Sequence, residues 1–106
     1  MRVSVLGVGS VGSIIASSLA TTSASVHLHV RGERGARMML DGLSVEGHRD
    51  FEFGAERFLF SCEELPHEPA LVHNSDLVIL AGKSYAMPYL AQQATAFLKT
   101  SGVVFT

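Results

Sequence analysis

Arg2 to Leu6 is a short run rich in β-branched residues that stops at Gly7. That is the pattern of a buried strand entering a tight turn. From there the large apolar residues fall at Val11, Ile14, Ile15 and Leu19. The i, i+3, i+4, i+8 spacing predicts a helix with that stripe against the core, ended by Thr21 to Ser23. Ser25 to Val30 switches to period two. Val26, Leu28 and Val30 share one face and His27 and His29 the other, which predicts a second strand. Gly32 breaks the alternation. Arg34 to Leu40 predicts a short helix with Met38, Met39 and Leu40 in apolar contact, closed by Asp41-Gly42. Leu43 to Glu46 and Asp50 to Phe53 read as two small strands joined through Gly47, and Arg57 to Phe60 as another. Ser61 to Ser75 holds Pro66 and Pro69 and reads as a loop with at most a helical turn. Asp76 to Ala81 is almost continuously apolar, as suits a strand covered on both faces of a parallel sheet. Tyr85 to Leu98 predicts a helix with Tyr89, Leu90, Ala94, Phe97 and Leu98 near one face and Pro88 in its first turn. Gly102 to Thr106 begins one more strand. This alternation predicts an α/β fold with a mostly parallel sheet.

Composition narrows the picture. The chain has 106 residues, 47% of them hydrophobic and 17% charged, against roughly 25% charged in an average soluble domain. It is long enough for one domain with a real core, spanning residues 1–106, and too apolar for disorder. Its 8 basic and 10 acidic residues leave a net charge of −2, which argues against a nucleic-acid surface. A single cysteine, Cys62, cannot form an internal disulfide, so the expected compartment is the reducing cytoplasm. No Asp, Glu, Lys or Arg lies between Arg2 and Arg31. Such a stretch can be a targeting peptide or a strand, turn and half-buried helix. Gly7, Gly9, Gly12 and the interspersed serines dilute the apolar run, where a membrane span wants about 20 predominantly apolar residues. No membrane association is expected.

Gly7-Val8-Gly9-Ser10-Val11-Gly12 is a G-x-G-x-x-G. It follows a strand and opens a helix, the context in which the pattern carries weight. Gly7 permits the turn, Gly9 lets a pyrophosphate approach the backbone, and Gly12 lets helix and strand pack closely. The first helical N–H groups, including those of Ser10 and Val11, then face the phosphates. The predicted architecture is therefore a Rossmann-type, doubly wound, three-layer αβα domain ending after its fifth main strand. Sites for NAD place an acid at the end of the second strand to hold the ribose 2′-hydroxyl. Here that strand ends at Val30 and is followed by Arg31, whose guanidinium suits a 2′-phosphate, with Arg34 near enough to assist. The expected cofactor is NADP (NADPH). Glu33, two residues past the strand, is the competing ribose acid, and both arginines can also be read as ordinary solvated charges. Lys83 follows the apolar strand 76–81 at its carboxyl end, where open α/β sheets bind ligands. It is assigned to the cofactor face, against the alternative of a solvated lysine at a helix start.

Other residues carry less. His27 and His29 at i, i+2 lack the further ligands a metal needs, and read as packing or hydrogen bonding near a sheet edge. Cys62, beside Glu63 and Glu64, has no basic neighbour to lower its pKa. Met38 and Met39 read as core filler.

At Gly7 to Ala16, Val30-Arg31-Gly32-Glu33-Arg34, Asp41 to Val45, and Asp76 to Ala81 leading to Lys83-Ser84-Tyr85, the sequence resembles the N-terminal domain of the ketopantoate reductase (2-dehydropantoate 2-reductase) family. The glycine motif is common to many dehydrogenases; the Arg-Gly-Glu-Arg and Lys-Ser-Tyr elements are more telling. The resemblance implies an oxidoreductase that uses NADPH to reduce a 2-keto acid, as in pantothenate synthesis. It implies a 2′-phosphate role for Arg31 and a cofactor-site role for Lys83. Gly82 departs from the bulkier apolar residue usual in the family, which implies a looser strand end. The family continues into a Leu-Gln-Asn-Gly segment and a helical C-terminal domain holding its catalytic lysine and glutamate, beyond Thr106. No catalytic residue is therefore assigned within 1–106, and the chain alone is expected to be inactive. A 2-keto acid partner is expected only with that domain supplied. An edge strand with apolar faces adds the expectation of a homodimer. The alternative class is a non-catalytic dinucleotide-sensing or interaction module.

Overall fold

The computed structural model describes residues 1–45 and 51–106. Five strands form one parallel sheet: β1 (Arg2–Leu6), β2 (Ser25–Val30), β5 (Phe58–Cys62), β6 (Ser75–Leu80) and β7 (Leu98–Phe105). Their order is β5-β2-β1-β6-β7. From β1 the chain winds outward through β2 to β5, then crosses back to β6 and β7. The reversal falls between β1 and β6, and crevices at such points, outside the carboxyl ends of the strands, are where doubly wound sheets bind ligands. Two further strands, β3 (Leu43–Val45) and β4 (Phe51–Phe53), pair antiparallel as a separate hairpin. The expected Gly47 turn lies outside the described residues.

Helices α1 (Ser10–Ala20) and α2 (Gly32–Asp41) cover one face of the sheet, together with the hairpin. Helix α3 (Met87–Phe97) covers the other. Parallel pairing puts partner residues on the same face. Val5, Val26, Leu28, Val30 and Phe58 meet Ala16, Ala20, Met38 and Leu43 on the α1 side. Leu6, Val78 and Leu80 meet Leu71, Ala94 and Phe97 on the α3 side. The α3 side also buries Ser4, His27, His29, Ser61 and Ser75.

Helix α1 corrects the expectation drawn from its apolar stripe. Its buried residues are Gly12, Ser13, Ala16, Ser17 and Ala20, while Val11 and Ile14 are 60% and 51% exposed. Only Ile15 and Leu19 of the stripe pack on the core. The cause is distance: a Cβ on Gly12 would overlap the Gly7 carbonyl oxygen. A helix seated that close to the loop can turn only small residues toward the sheet. In α2 the same kind of correction applies to Leu40, which is exposed, while Met38 is buried as expected and Met39 packs beside it.

The expected helix over 85–98 begins with a 3₁₀ turn (Ser84–Ala86), and α3 starts at Met87. Tyr89 lies outside its packed face, and Leu98 already belongs to β7. The strand therefore begins earlier than Gly102. At the amino ends of the strands, Asp76 accepts a hydrogen bond from the Arg2 backbone N–H and pairs with Lys99 at 3.0 Å. Also at that end, the Arg57 guanidinium donates to the carbonyls of Ala20, Thr22 and Ala24. Strand β7 is an edge that leaves Val103 and Phe105 exposed. No helix among the described residues is long and apolar enough to cross a membrane.

Candidate functional site

A cavity of about 490 Å³ opens at the carboxyl ends of β1, β2, β5 and β6, within the usual range for small-molecule sites. The turn after β1 forms one wall. Gly7 there has φ +86°, a conformation that favours glycine, and sits directly against the Gly82 backbone. A side chain at Gly7 would collide with Gly82. Gly9 differs: a Cβ there would meet no protein atom within 4 Å, so its backbone faces open space. Gly9 also caps α1, with no side chain hydrogen-bonded to the cap and no acid in the first turn. The first-turn N–H groups, which no helix can satisfy internally, are left for a partner in front of the loop.

Gly7, Gly9, Ser10 and Val11 line the cavity, and so do Arg31 from the end of β2 and Lys83 from the end of β6. Gly12 does not; it lies beneath, against Gly7. Arg34 lines the cavity as well. Three cationic side chains from two segments thus line one opening. The space a side chain on Gly82 would fill is taken by Leu90. Met38 is buried in the core and also reaches the cavity wall, a double role the sequence reading missed.

Another wall is made by residues to which sequence reasoning gave no site role. Tyr85 lines it from the 3₁₀ turn before α3, Tyr89 and Gln93 from α3 itself, and Glu63 from the end of β5. The Tyr89 hydroxyl donates to the Glu63 carboxylate and accepts from Gln93 Nε2 at 2.9 Å. Glu63 beside it raises the Tyr89 phenol above its usual value. The signal was present: Tyr85, Tyr89 and Gln93 recur every four residues, one stripe of a helix.

His29 also lines this wall, and belongs to the polar layer of the α3 side. Ser75 and Ser4 hydroxyls are bonded to each other, and Ser4 Oγ lies 2.7 Å from His27 Nδ1. His27 Nε2 and His29 Nδ1 both lie 2.7 Å from Ser61 Oγ. Phe97 closes the layer, its ring centroid 4.8 Å from that of His27 and 5.0 Å from that of His29. Burial, with the charges of His29, Arg2 and His67 adding to it, lowers His27 to about 3. Burial and His67 lower His29, against the opposing pull of Glu63. Both rings are therefore neutral near pH 7. They are hydrogen-bonded near a sheet edge as expected, on β2, one strand in from the edge strand β5. Among the described residues no cluster suits a metal ion. Cys62 is raised chiefly by its hydrogen bond to Glu64, which leaves it a poor nucleophile.

The family model for ketopantoate reductase PanE/ApbA matches residues 3–106 of this chain. The chain belongs to the ketopantoate reductase family. Solved structures carry the same fold. A ternary structure of D-mandelate dehydrogenase with NADH and anilino(oxo)acetate superposes with a TM-score of 0.76 at 18% identity, over 98% of this chain and 32% of that one. A candidate ketopantoate reductase from Ralstonia solanacearum MolK2 gives 0.75 at 21% identity, over 97% and 30%. A candidate 2-dehydropantoate 2-reductase from Enterococcus faecalis gives 0.75 at 17%, over 98% and 32%. The chain spans about a third of the length of these family and fold relatives. It is an oxidoreductase-type dinucleotide-binding domain by family and by fold.

Proposed function

We propose that residues 1–106 are the NADP(H)-binding domain of an oxidoreductase that reduces a 2-keto acid such as 2-dehydropantoate. The observation that carries this reading is the convergence of the uncapped first turn of α1 with Arg31, Arg34 and Lys83 around one cavity. The open space before Gly9 fits a pyrophosphate, and the two arginines after β2 fit a 2′-phosphate. When bound, the cofactor supplies the hydride. The residues of this chain hold and orient it: Gly7, Gly9, Ser10 and Val11 through the loop, Gly12 by seating the helix beneath it, Lys83 from the end of β6. No acid–base role in substrate protonation is assigned among the described residues.

Thermal melting with added cofactor tests the proposal. A ligand that binds only the folded state adds about 2.7 kcal/mol at 100 times its Kd. NADPH is expected to raise Tm more than NADH, and Arg31→Glu to abolish the difference. Equal shifts would remove the NADP assignment, and no shift with either would remove dinucleotide binding.

A further inference from the structure

Residue 64 follows β5, the strand beside β2. Val30 pairs with Cys62, and the Glu63 N–H donates to the Val30 carbonyl at 2.8 Å. That register carries Glu64 to the turn between β2 and α2. There its Oε1 accepts a hydrogen bond from the Gly32 N–H at 2.6 Å, and its Oε2 accepts one from the Cys62 thiol at 2.9 Å. The hydrogen bond from Cys62, that from Gly32 and the nearby Arg31 charge hold its carboxyl below the usual range. Glu64 is thus an anion hydrogen-bonded to the backbone of the residue after Arg31, and Arg31 lines the cavity at the end of β2.

Dinucleotide folds that select the unphosphorylated ribose place an acid at the end of the second strand. Here β2 ends in Val30-Arg31-Gly32 with no acid, and the neighbouring strand delivers one to the same turn. We propose that Glu64 is a specificity-determining residue which opposes Arg31 and narrows the preference for a 2′-phosphorylated cofactor. The inference rests on dinucleotide binding as proposed above. Its chemistry is direct. A 2′-phosphate brought to Arg31 meets a second anion that already holds the Gly32 donor. A 2′-hydroxyl is itself a donor and finds in that carboxylate an acceptor. Specificity is a difference of affinities, and a repulsive element against one ligand is a normal way to set it.

Calorimetric titration of the intact protein with adenosine 2′,5′-bisphosphate and with adenosine 5′-monophosphate tests this. Glu64→Gln keeps the shape and removes the charge. It is expected to tighten the bisphosphate about three- to fivefold, the upper end for an exposed charge interaction. The monophosphate should bind unchanged or more weakly. The gain should shrink in high salt, because it is electrostatic. Glu64→Ala should shift the ratio in the same direction. An unchanged ratio in both variants overturns the role of Glu64 and leaves the proposed function standing. Failure of the wild-type protein to bind either nucleotide overturns the proposed function and this inference with it.

Discussion

On the α1 side of the sheet, Val5, Val26, Leu28 and Phe58 meet Ala16, Ala20 and Met38. On the α3 side, the intervening residues of the same strands place Ser4, His27, His29 and Ser61 beneath Phe97. The strand Ser-Val-His-Leu-His-Val writes both interiors at once, one per parity. The first is held by non-directional burial, which tolerates any well-filled apolar set. The second adds to its own apolar cluster directional hydrogen bonds that need their partners neutral and in place. The difference predicts that the two faces respond to different insults.

Truncating the lid of the polar layer should have the largest effect. Phe97→Ala is expected to cost about 3–5 kcal/mol, from a lost aromatic side chain and the cavity left over the histidines. Urea unfolding of that variant beside Leu28→Ala on the other face checks it. Only the Phe97 variant should also change the titration of the buried histidines.

Acid should come next, acting on one face alone. His27 titrates at about 3 when folded against an ordinary 6.5. Below 6.5 the unfolded chain therefore binds the proton that the folded chain refuses. Stability is full above that pH and falls as pH drops from 6.5 toward 3. The slope approaches about 1.4 kcal/mol per pH unit for this residue. His27→Gln should flatten this limb of a Tm-against-pH curve, while Leu28→Ala should leave it intact. A wild-type curve flat between pH 6.5 and 4.5 would contradict the neutral-histidine layer. The smallest effect belongs at the surface. Lys99→Ala, which breaks a pair whose side chains are 45% and 35% exposed, should cost no more than about 1 kcal/mol and less in high salt.

How legible all this was in the sequence follows from how local each signal is. The glycine loop and the alternation of β2 are written within a few neighbouring residues, so the strand, turn and helix could be read directly. The face that α1 buries could not. Large apolar residues at Val11 and Ile14 outweighed the small ones in the pattern, yet the nearness of Gly12 to Gly7 decides the packing. Gln93 and Tyr89 stood in a visible stripe, but only the fold shows that this stripe turns toward the ends of β2 and β5. Glu64 was more distant still. It reaches Gly32 because β5 pairs with β2, and strand order is not a property of any one segment.

Arg57 holds three carbonyls around the turn that leads into β2, at the end of the sheet away from the cavity. The bolt and the mouth of the molecule are therefore at opposite poles. Changes among the loops at the mouth need not loosen the bolt, so substitutions there, at positions such as 31 and 64, can be accepted without first securing a sturdier scaffold.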